Sequence, residues 1–116
     1  MTRINVVPPE ELCRQHLVAE YRELPRVFSL ARKAGCRAPS SSHYTLGVGH
    51  VRFFYDKLGW LLERQKALIA EMQRRGYAPQ HTEPERLVEG LPLGVWEPTP
   101  EAIAINRARI AERMPK

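Results

Sequence analysis

Cysteine is scarce in this chain, and long apolar segments are missing from it. Only Cys13 and Cys36 occur among 116 residues, and no Cys-x-x-Cys motif is present. Two separated thiols are typical of a reducing compartment, so we expect both to be free and buried, although a disulfide between them stays open. The chain has neither an apolar signal segment at its N-terminus nor a run of about twenty apolar residues. We therefore expect a cytoplasmic protein.

Residue sets that would hold a metal or a nucleotide are missing as well. His16 and Glu20 stand at helical spacing, but no third ligand follows at zinc spacing, so no metal site is predicted. The stretch Gly47-Val48-Gly49 lacks a third glycine and a preceding strand, which makes it weak as a nucleotide-binding loop. No cofactor is predicted from the sequence.

Positive charge, by contrast, is in excess. The formal net charge is +5 and the isoelectric point is near 9.6. Arginine supplies most of the positive charge and binds phosphate in bidentate fashion, which favours a polyanionic partner. A soluble basic domain without such a partner is the alternative. A length of 116 residues suits one modest core, so we predict a single domain spanning 1–116.

Apolar periodicity predicts an all-α fold of three main helices, and no alternating strand pattern occurs. The first helix is expected to start at Pro8-Pro9-Glu10-Glu11 and to bury a stripe at helical spacing: Leu17, Tyr21, Leu24, Phe28 and Ala31. The second is predicted over 51–75, with buried Phe54, Leu58, Leu61, Leu62, Leu68, Ile69 and Met72. Residues 35–50 and 77–98 are predicted loops, the latter with one helical turn after Thr82.

The third helix has the clearest start signal, Thr99-Pro100-Glu101, which combines a capping side chain, a proline in the first turn and an acid. Its expected inward residues are Ile103, Ile110 and Met114, and its expected outward residues are Arg107, Arg109 and Arg113. Within the first helix, Pro25 cannot donate to the carbonyl of Tyr21, so we expect a kink and a freed carbonyl there.

The face of the first helix opposite the buried stripe gathers polar side chains. At 100° per residue that sector holds Gln15, His16, Ala19, Arg22, Glu23 and Arg26. A glutamate between two arginines on a helix most often forms a surface ion-pair network, and a histidine there is as readily structural as functional. The alternative is a site that places one carboxylate among phosphate-binding arginines.

Three stretches of the chain carry a family resemblance. The first is Met1-Thr2-Arg3-Ile4-Asn5 followed by the run from His16 to Phe28, HLVAEYRELPRVF. The second is the run LGVGHVRFFYDKL over 46–58, and the third is EAIAI over 101–105 leading to Ala108-Arg109. In this order they resemble the pyrimidine-dimer DNA glycosylase family, whose members are small all-α repair enzymes.

The resemblance implies an N-glycosylase with abasic-site (AP) lyase activity on cyclobutane pyrimidine dimers. It implies two catalytic residues, Thr2 and Glu23. Removal of Met1 would expose the α-amine of Thr2, which titrates near ~7.7–8 in an unperturbed chain and attacks the sugar through a Schiff base without a metal. The implied DNA-binding residues are Arg3, Gln15, His16, Arg22, Arg26, Arg109 and Arg113. The partner is double-stranded damaged DNA, and a monomer is expected.

Two departures from the family leave the lesion open. The loop between the first two helices is shorter than in the phage members, and residues 1–116 do not include the aromatic C-terminal tail of those members. Recognition of pyrimidine dimers is therefore less strongly indicated than the catalytic machinery. The alternatives are a glycosylase or AP lyase for another damaged or modified base, and a DNA-binding module without turnover.

Overall fold

The structure, a computed structural model, describes residues 4–35, 44 and 50–113. These residues form three α-helices, α1 (Arg14–Lys33), α2 (Leu58–Arg74) and α3 (Pro100–Glu112). Short 3₁₀ helices lie at Pro9–Glu11, Arg52–Phe54 and Pro84–Val88, the last confirming the turn expected after Thr82. The described residues contain no strand. The all-α prediction with three main helices is thus confirmed.

Helix α1 begins about one turn later than its prolines suggest. Pro9 opens the 3₁₀ helix, and extended backbone at Leu12 and Cys13 separates that helix from α1. The Arg75 guanidinium donates to the Leu12 carbonyl at 2.7 Å, a contact from α2 that holds the break in place. The predicted start was therefore wrong in detail, because a distant side chain fixes the backbone where local signals favour a helix.

The core forms where α1 packs on α2. The predicted stripe of α1 is buried, as are all seven apolar positions predicted between Phe54 and Met72. Burial of this kind is the main stabilising contribution, at roughly 25 cal/mol per Å² of apolar surface. Cys13 is a free thiol and is only half-buried, whereas Cys36 lies outside the described residues.

Pro25 lies inside α1, and its effect on the neighbouring carbonyl is visible. Pro25 has no N–H to donate to the Tyr21 carbonyl, and this carbonyl instead accepts a hydrogen bond from Gln65 Nε2 at 3.1 Å. Gln65 lies on α2 and is 2 % exposed. The carbonyl freed by proline is therefore used to join the two central helices, which removes the penalty for an unsatisfied buried acceptor.

Helix α2 starts at Leu58, seven residues after the predicted start. Its first turn is capped by backbone from a distant loop, since the Gly94 carbonyl accepts from the N–H groups of Gly59 and Trp60 at 2.9 and 3.2 Å. The approach is so close that a Cβ on Gly94 would lie 1.9 Å from the Asp56 carbonyl oxygen. A side chain at position 94 is therefore incompatible with this capping contact.

Helix α3 starts where its sequence indicates. Thr99 Oγ1 accepts a hydrogen bond from the Ala102 N–H at 3.0 Å, as the capping signal predicts. Ile103 and Ile110 are half-buried, while Met114 lies outside the described residues. Among the helices that the structure describes, none is both long and apolar enough to cross a membrane.

Candidate active site

A cleft of about 330 Å³ opens between α1 and the C-terminal half of α3. We call it the α1–α3 cleft, and its lining residues are Asn5, His16, Ala19, Glu20, Glu23, Arg109, Ile110 and Arg113. Four of them were expected site residues, two from each side of the cleft. The structure therefore brings His16 and Glu23 together with Arg109 and Arg113, which are more than eighty positions away in the sequence.

Glu23 is the more exposed of the two carboxylates that line this cleft. Its side chain is 36 % exposed and accepts a hydrogen bond from Arg26 Nη1 at 2.9 Å. Arg26 is itself 66 % exposed, so the pair sits in a high-dielectric setting and contributes no more than about 1 kcal/mol. The surface ion pair of Glu23 therefore exists, and the same carboxylate lines the cleft, while its catalytic role stays a prediction.

Two nitrogen atoms of cleft-lining residues have unused hydrogen-bonding capacity. His16 Nδ1 and Arg109 Nε are both buried, and neither has a hydrogen-bond partner among the described residues. Leaving such a group unsatisfied costs about 1–3 kcal/mol. Arg109 Nη1 is held by Glu112 at 3.3 Å. Cationic nitrogens and an imidazole in one cleft favour an anionic or hydroxyl-bearing ligand.

Three further predicted residues, Gln15, Arg22 and Arg26, do not line the cleft. Gln15, Arg22 and Arg26 are exposed on α1, as the helical sector predicts. Arg22 borders a second groove of about 700 Å³, between α1, α2 and the segment 80–87. Thr2 and Arg3 lie outside the described residues.

A buried polar network beneath the cleft was missed by the sequence interpretation. Glu20 pairs with Arg64, and Asn5 hydrogen-bonds to both Glu20 and Asn106. A signal for it was present, since Glu20 falls within the apolar stripe of α1 and Arg64 stands among the apolar positions of α2. A charged residue at a core position requires a partner, and two of opposite charge in facing stripes predict a buried pair.

No group of three or more His, Cys, Asp or Glu side chains suited to a metal ion occurs in 4–35, 44 or 50–113. The polar groups that line the described cleft are two carboxylates, one imidazole, one amide and two guanidinium groups, and of the carboxylates Glu20 is buried and paired with Arg64. A carboxylate stabilises a nearby cation and exchanges protons, while guanidiniums bind phosphate oxygens.

A family model described as pyrimidine dimer DNA glycosylase matches residues 1–84 of the 116. The chain belongs to this family. It is thus a DNA repair glycosylase, and its family acts on damaged DNA. The resemblance in the sequence is confirmed. The matched segment holds α1 and α2, and α3 lies beyond it, yet α3 supplies Arg109 to the cleft that Glu23 lines.

Proposed function

We propose that this chain cleaves DNA at cyclobutane pyrimidine dimers, as an N-glycosylase and AP lyase, through a Schiff base on the α-amine of Thr2. The α1–α3 cleft is the observation that carries the proposal. It joins Glu23 to Arg109 and Arg113, and it includes Asn5, which follows Thr2 by three residues. Membership of the pyrimidine dimer DNA glycosylase family supports the choice of damaged DNA as substrate.

The nucleophile in this proposal is the amine that forms when Met1 is removed. An α-amine has an unperturbed pKa of about 7.7–8, whereas that of a lysine is about 10.4. A large fraction of it is therefore unprotonated near neutral pH without burial in an apolar pocket. Nucleophilic catalysis by an amine also needs no metal, which suits the side chains that the cleft contains.

The reaction proceeds in two stages. The amine nitrogen bonds to C1′ of the damaged nucleotide and gives up a proton while the N-glycosidic bond breaks. The base takes the bonding electrons and a proton, and it stays joined to its dimer partner through the cyclobutane ring. The nitrogen lone pair then displaces the ring oxygen, which is protonated, and leaves an iminium. Loss of the C2′ proton expels the 3′ phosphate by β-elimination, and water finally hydrolyses the imine to release the amine.

Glu23 has two roles in this scheme. Its carboxylate stabilises the cation that develops at the sugar and iminium, and it accepts the C2′ proton. The exposed pair with Arg26 is weak enough to exchange when a phosphate arrives to bind that arginine.

The DNA backbone is held by the remaining polar residues around Glu23. A cleft that holds two guanidinium groups, with exposed Arg22 and Arg26 on the same helix as Glu23, suits phosphates on both sides of a lesion. His16 binds a phosphate or orients the carboxylate of Glu23. The protein is proposed to act as a monomer. The proposed backbone contacts are made by Arg3, Gln15, His16, Arg22, Arg26, Arg109 and Arg113.

Borohydride trapping on duplex DNA tests the proposal. Protein shown by mass to begin at Thr2 is incubated with dimer-containing and abasic duplexes, and the covalent adduct is mapped by peptide sequencing. We expect the adduct at the Thr2 nitrogen and its loss when one residue is added before Thr2. An adduct of normal yield on a lysine would overturn the proposed nucleophile.

A parallel rate comparison tests the lesion. Duplexes carry a cyclobutane dimer, an abasic site, a ring-opened purine or no lesion, and strand cleavage is followed for each. Rapid cleavage at the dimer supports the proposal. Cleavage at the abasic site or the ring-opened purine but never at the dimer would favour the alternative enzyme, and binding without any cleavage would favour a non-catalytic module.

A further inference from the structure

We propose that a buried polar network positions the N-terminal amine for attack. This anchor network consists of Asn5, Glu20, Arg64 and Asn106, and it fixes the segment 4–7 that directly follows the proposed nucleophile. The inference rests on the proposed function, in which the amine of Thr2 attacks the sugar. Arg64 and Asn106 are then positioning residues, since they act through the segment and not on the substrate.

The centre of the anchor network is an ion pair sealed from solvent. The Glu20 side chain is 0 % exposed and that of Arg64 is 5 % exposed. Arg64 donates twice to Glu20, from Nε at 2.7 Å and from Nη2 at 2.9 Å, and its Nη1 donates to the Val7 carbonyl. Asn5 Nδ2 also donates to Glu20, at 2.9 Å. One buried pair between α1 and α2 therefore holds both the side chain of Asn5 and the backbone at Val7.

Helix α3 holds the same segment from another side through Asn106. This side chain is 0 % exposed, and its Oδ1 accepts the N–H groups of Val6 at 2.7 Å and Val7 at 3.3 Å. Its Nδ2 donates to Asn5 Oδ1 at 2.8 Å. A single amide thus uses both its ends on the segment, which leaves the segment little freedom to shift relative to α3.

The first described residue, Ile4, is held at both of its backbone polar groups. Its N–H donates to His50 Nε2 at 2.8 Å, and its carbonyl accepts from the Tyr44 hydroxyl at 3.0 Å. Residues 4–7 are all buried and belong to no helix or strand. Side chains from distant elements therefore supply the hydrogen bonds that a regular element would otherwise provide.

The covalent chain transmits this constraint to the nucleophile. Two residues span at most about 7 Å, so the nitrogen of Thr2 cannot lie farther than that from the fixed nitrogen of Ile4. Asn5 and Glu20 also line the cleft that contains Glu23, which puts the anchor network next to the proposed chemistry.

Stability alone is a weak reason for such a network. Replacing a buried ion pair with apolar residues of similar volume is often neutral or stabilising. Precise placement of a nucleophile, in contrast, has a large effect on rate, because a misplacement of about 1 Å can slow a reaction by on the order of 10²-fold. The geometry therefore favours a role in positioning.

The experiment compares Asn106→Ala with a matched control, Glu71→Gln. Glu71, like Asn106, is a buried polar side chain, but its described partners are Arg74 and Arg75, and none of residues 4–7 is among them. Both variants, cleaved to begin at Thr2, are assayed at a temperature where circular dichroism shows them folded. The borohydride-trapping rate at saturating abasic duplex is measured, together with the Kd for a duplex bearing a tetrahydrofuran abasic analogue.

We expect the trapping rate of Asn106→Ala to fall by on the order of 10²-fold, with Kd changed no more than about fivefold, while Glu71→Gln traps at the wild-type rate. If Asn106 had a purely structural role, both variants would unfold at a lower temperature, and the trapping rate of Asn106→Ala would not fall independently of its Kd. If Asn106→Ala does not fold, Asn106→Ser replaces it, since a water can then satisfy the freed N–H groups without fixing the segment.

The two proposals fail differently. If the wild type traps on Thr2 and Asn106→Ala or Asn106→Ser traps as fast at saturation, the positioning role is overturned and the nucleophile stands. If the wild type traps on another residue, the nucleophile and the positioning role are both overturned.

Discussion

Helix α1 presents two glutamates three residues apart, each paired with an arginine, in opposite surroundings. Glu20 and Arg64 have side chains that are 0 % and 5 % exposed, and Glu20 accepts three hydrogen bonds. Glu23 and Arg26 are 36 % and 66 % exposed and share one hydrogen bond among those described. Two glutamates within one turn of α1 thus form a buried structural pair and an exchangeable surface pair with arginine.

The difference favours Glu23 over Glu20 as the proposed catalytic carboxylate. Glu20 is desolvated and saturated with donors, so moving it or its partner would leave a charge buried and unpaired. Glu23 is partly hydrated, and its pair with Arg26 contributes little. The partly hydrated surroundings of Glu23 suit a group that must stabilise a transient cation and exchange a proton. The buried surroundings of Glu20 suit a group that must fix a backbone segment.

Breaking the buried pair is the largest expected effect. Glu20→Ala should lower the free energy of unfolding by about 3–5 kcal/mol, because Arg64 and Asn5 lose their acceptor while remaining buried. Urea or guanidinium unfolding measures this loss, and Glu23→Ala should change the same quantity by no more than about 1 kcal/mol. Equal losses in the two variants would contradict the comparison.

The paired replacement Glu20→Leu with Arg64→Met serves as a control for the buried charges. Removing both charges together leaves no unpaired ion, so we expect stability close to that of the wild type or higher. A double variant as unstable as Glu20→Ala would mean that packing, not the unpaired charge, explains the single-variant loss.

Removing the charge of the exposed pair should instead affect chemistry. Glu23→Gln keeps the side-chain shape, and we expect it to slow the chemical step by about 10²–10⁴-fold while DNA affinity holds or improves. Single-turnover cleavage at saturating enzyme measures the step. Glu11→Gln is the matched control, since Glu11 is 40 % exposed and pairs with Arg107 at 2.7 Å. Turnover of Glu23→Gln at the wild-type rate would reduce Glu23 to an ordinary surface partner.

The arginine of the exposed pair should affect binding in a graded way. Arg26→Gln removes one phosphate contact, so the slope of log affinity against log salt should become shallower by about 0.9. Fluorescence anisotropy across a salt series measures the slope, with Arg107→Gln as the control because Arg107 is similarly exposed and ion-paired. A slope that changes equally in both variants would point to net charge rather than to a contact.

Much of the fold was predictable because it depends on local chemistry. The stripe from Leu17 to Ala31 follows the helical period, and Thr99 caps α3 through its own side chain. The starts of α1 and α2 were not predictable, since Arg75 holds the break at Leu12 and the Gly94 carbonyl caps α2. Both contacts join segments far apart in the chain, where periodicity and capping signals carry no information.

The site divides in the same way. Placing His16 and Glu23 on one face of α1 needed only the 100° helical step, and Arg109 and Arg113 came from the family resemblance. The partners of Asn5 could not be inferred, since Asn106 lies about a hundred positions away and one buried amide in α3 has no distinct pattern. Glu20 and Arg64 were the available clues, as an acid and a base at apolar positions of facing helices.

Glu71 offers an intermediate case between the buried pair of Glu20 and the exposed pair of Glu23. Its side chain is 3 % exposed, but its partners Arg74 and Arg75 are 66 % and 18 % exposed. Hydrogen bonds from Arg74, and then from Arg75, lower the pKa of Glu71 from its ordinary 4.5 to about 2. Between these values the unfolded chain binds a proton that the folded protein does not, so the stability contributed by Glu71 is complete above 4.5 and is lost toward 2.

Glu71→Gln removes this contribution at every pH. The gap in unfolding free energy between wild type and variant should therefore be constant from about pH 7 to about pH 5 and should narrow steadily below that range. Urea unfolding at stepped pH measures the gap. A gap as wide near pH 3 as near pH 7 would mean that the charge of Glu71 does not stabilise the fold. Glu71 would then resemble Glu23 in contributing little to the free energy of unfolding through its charge, although it is buried like Glu20.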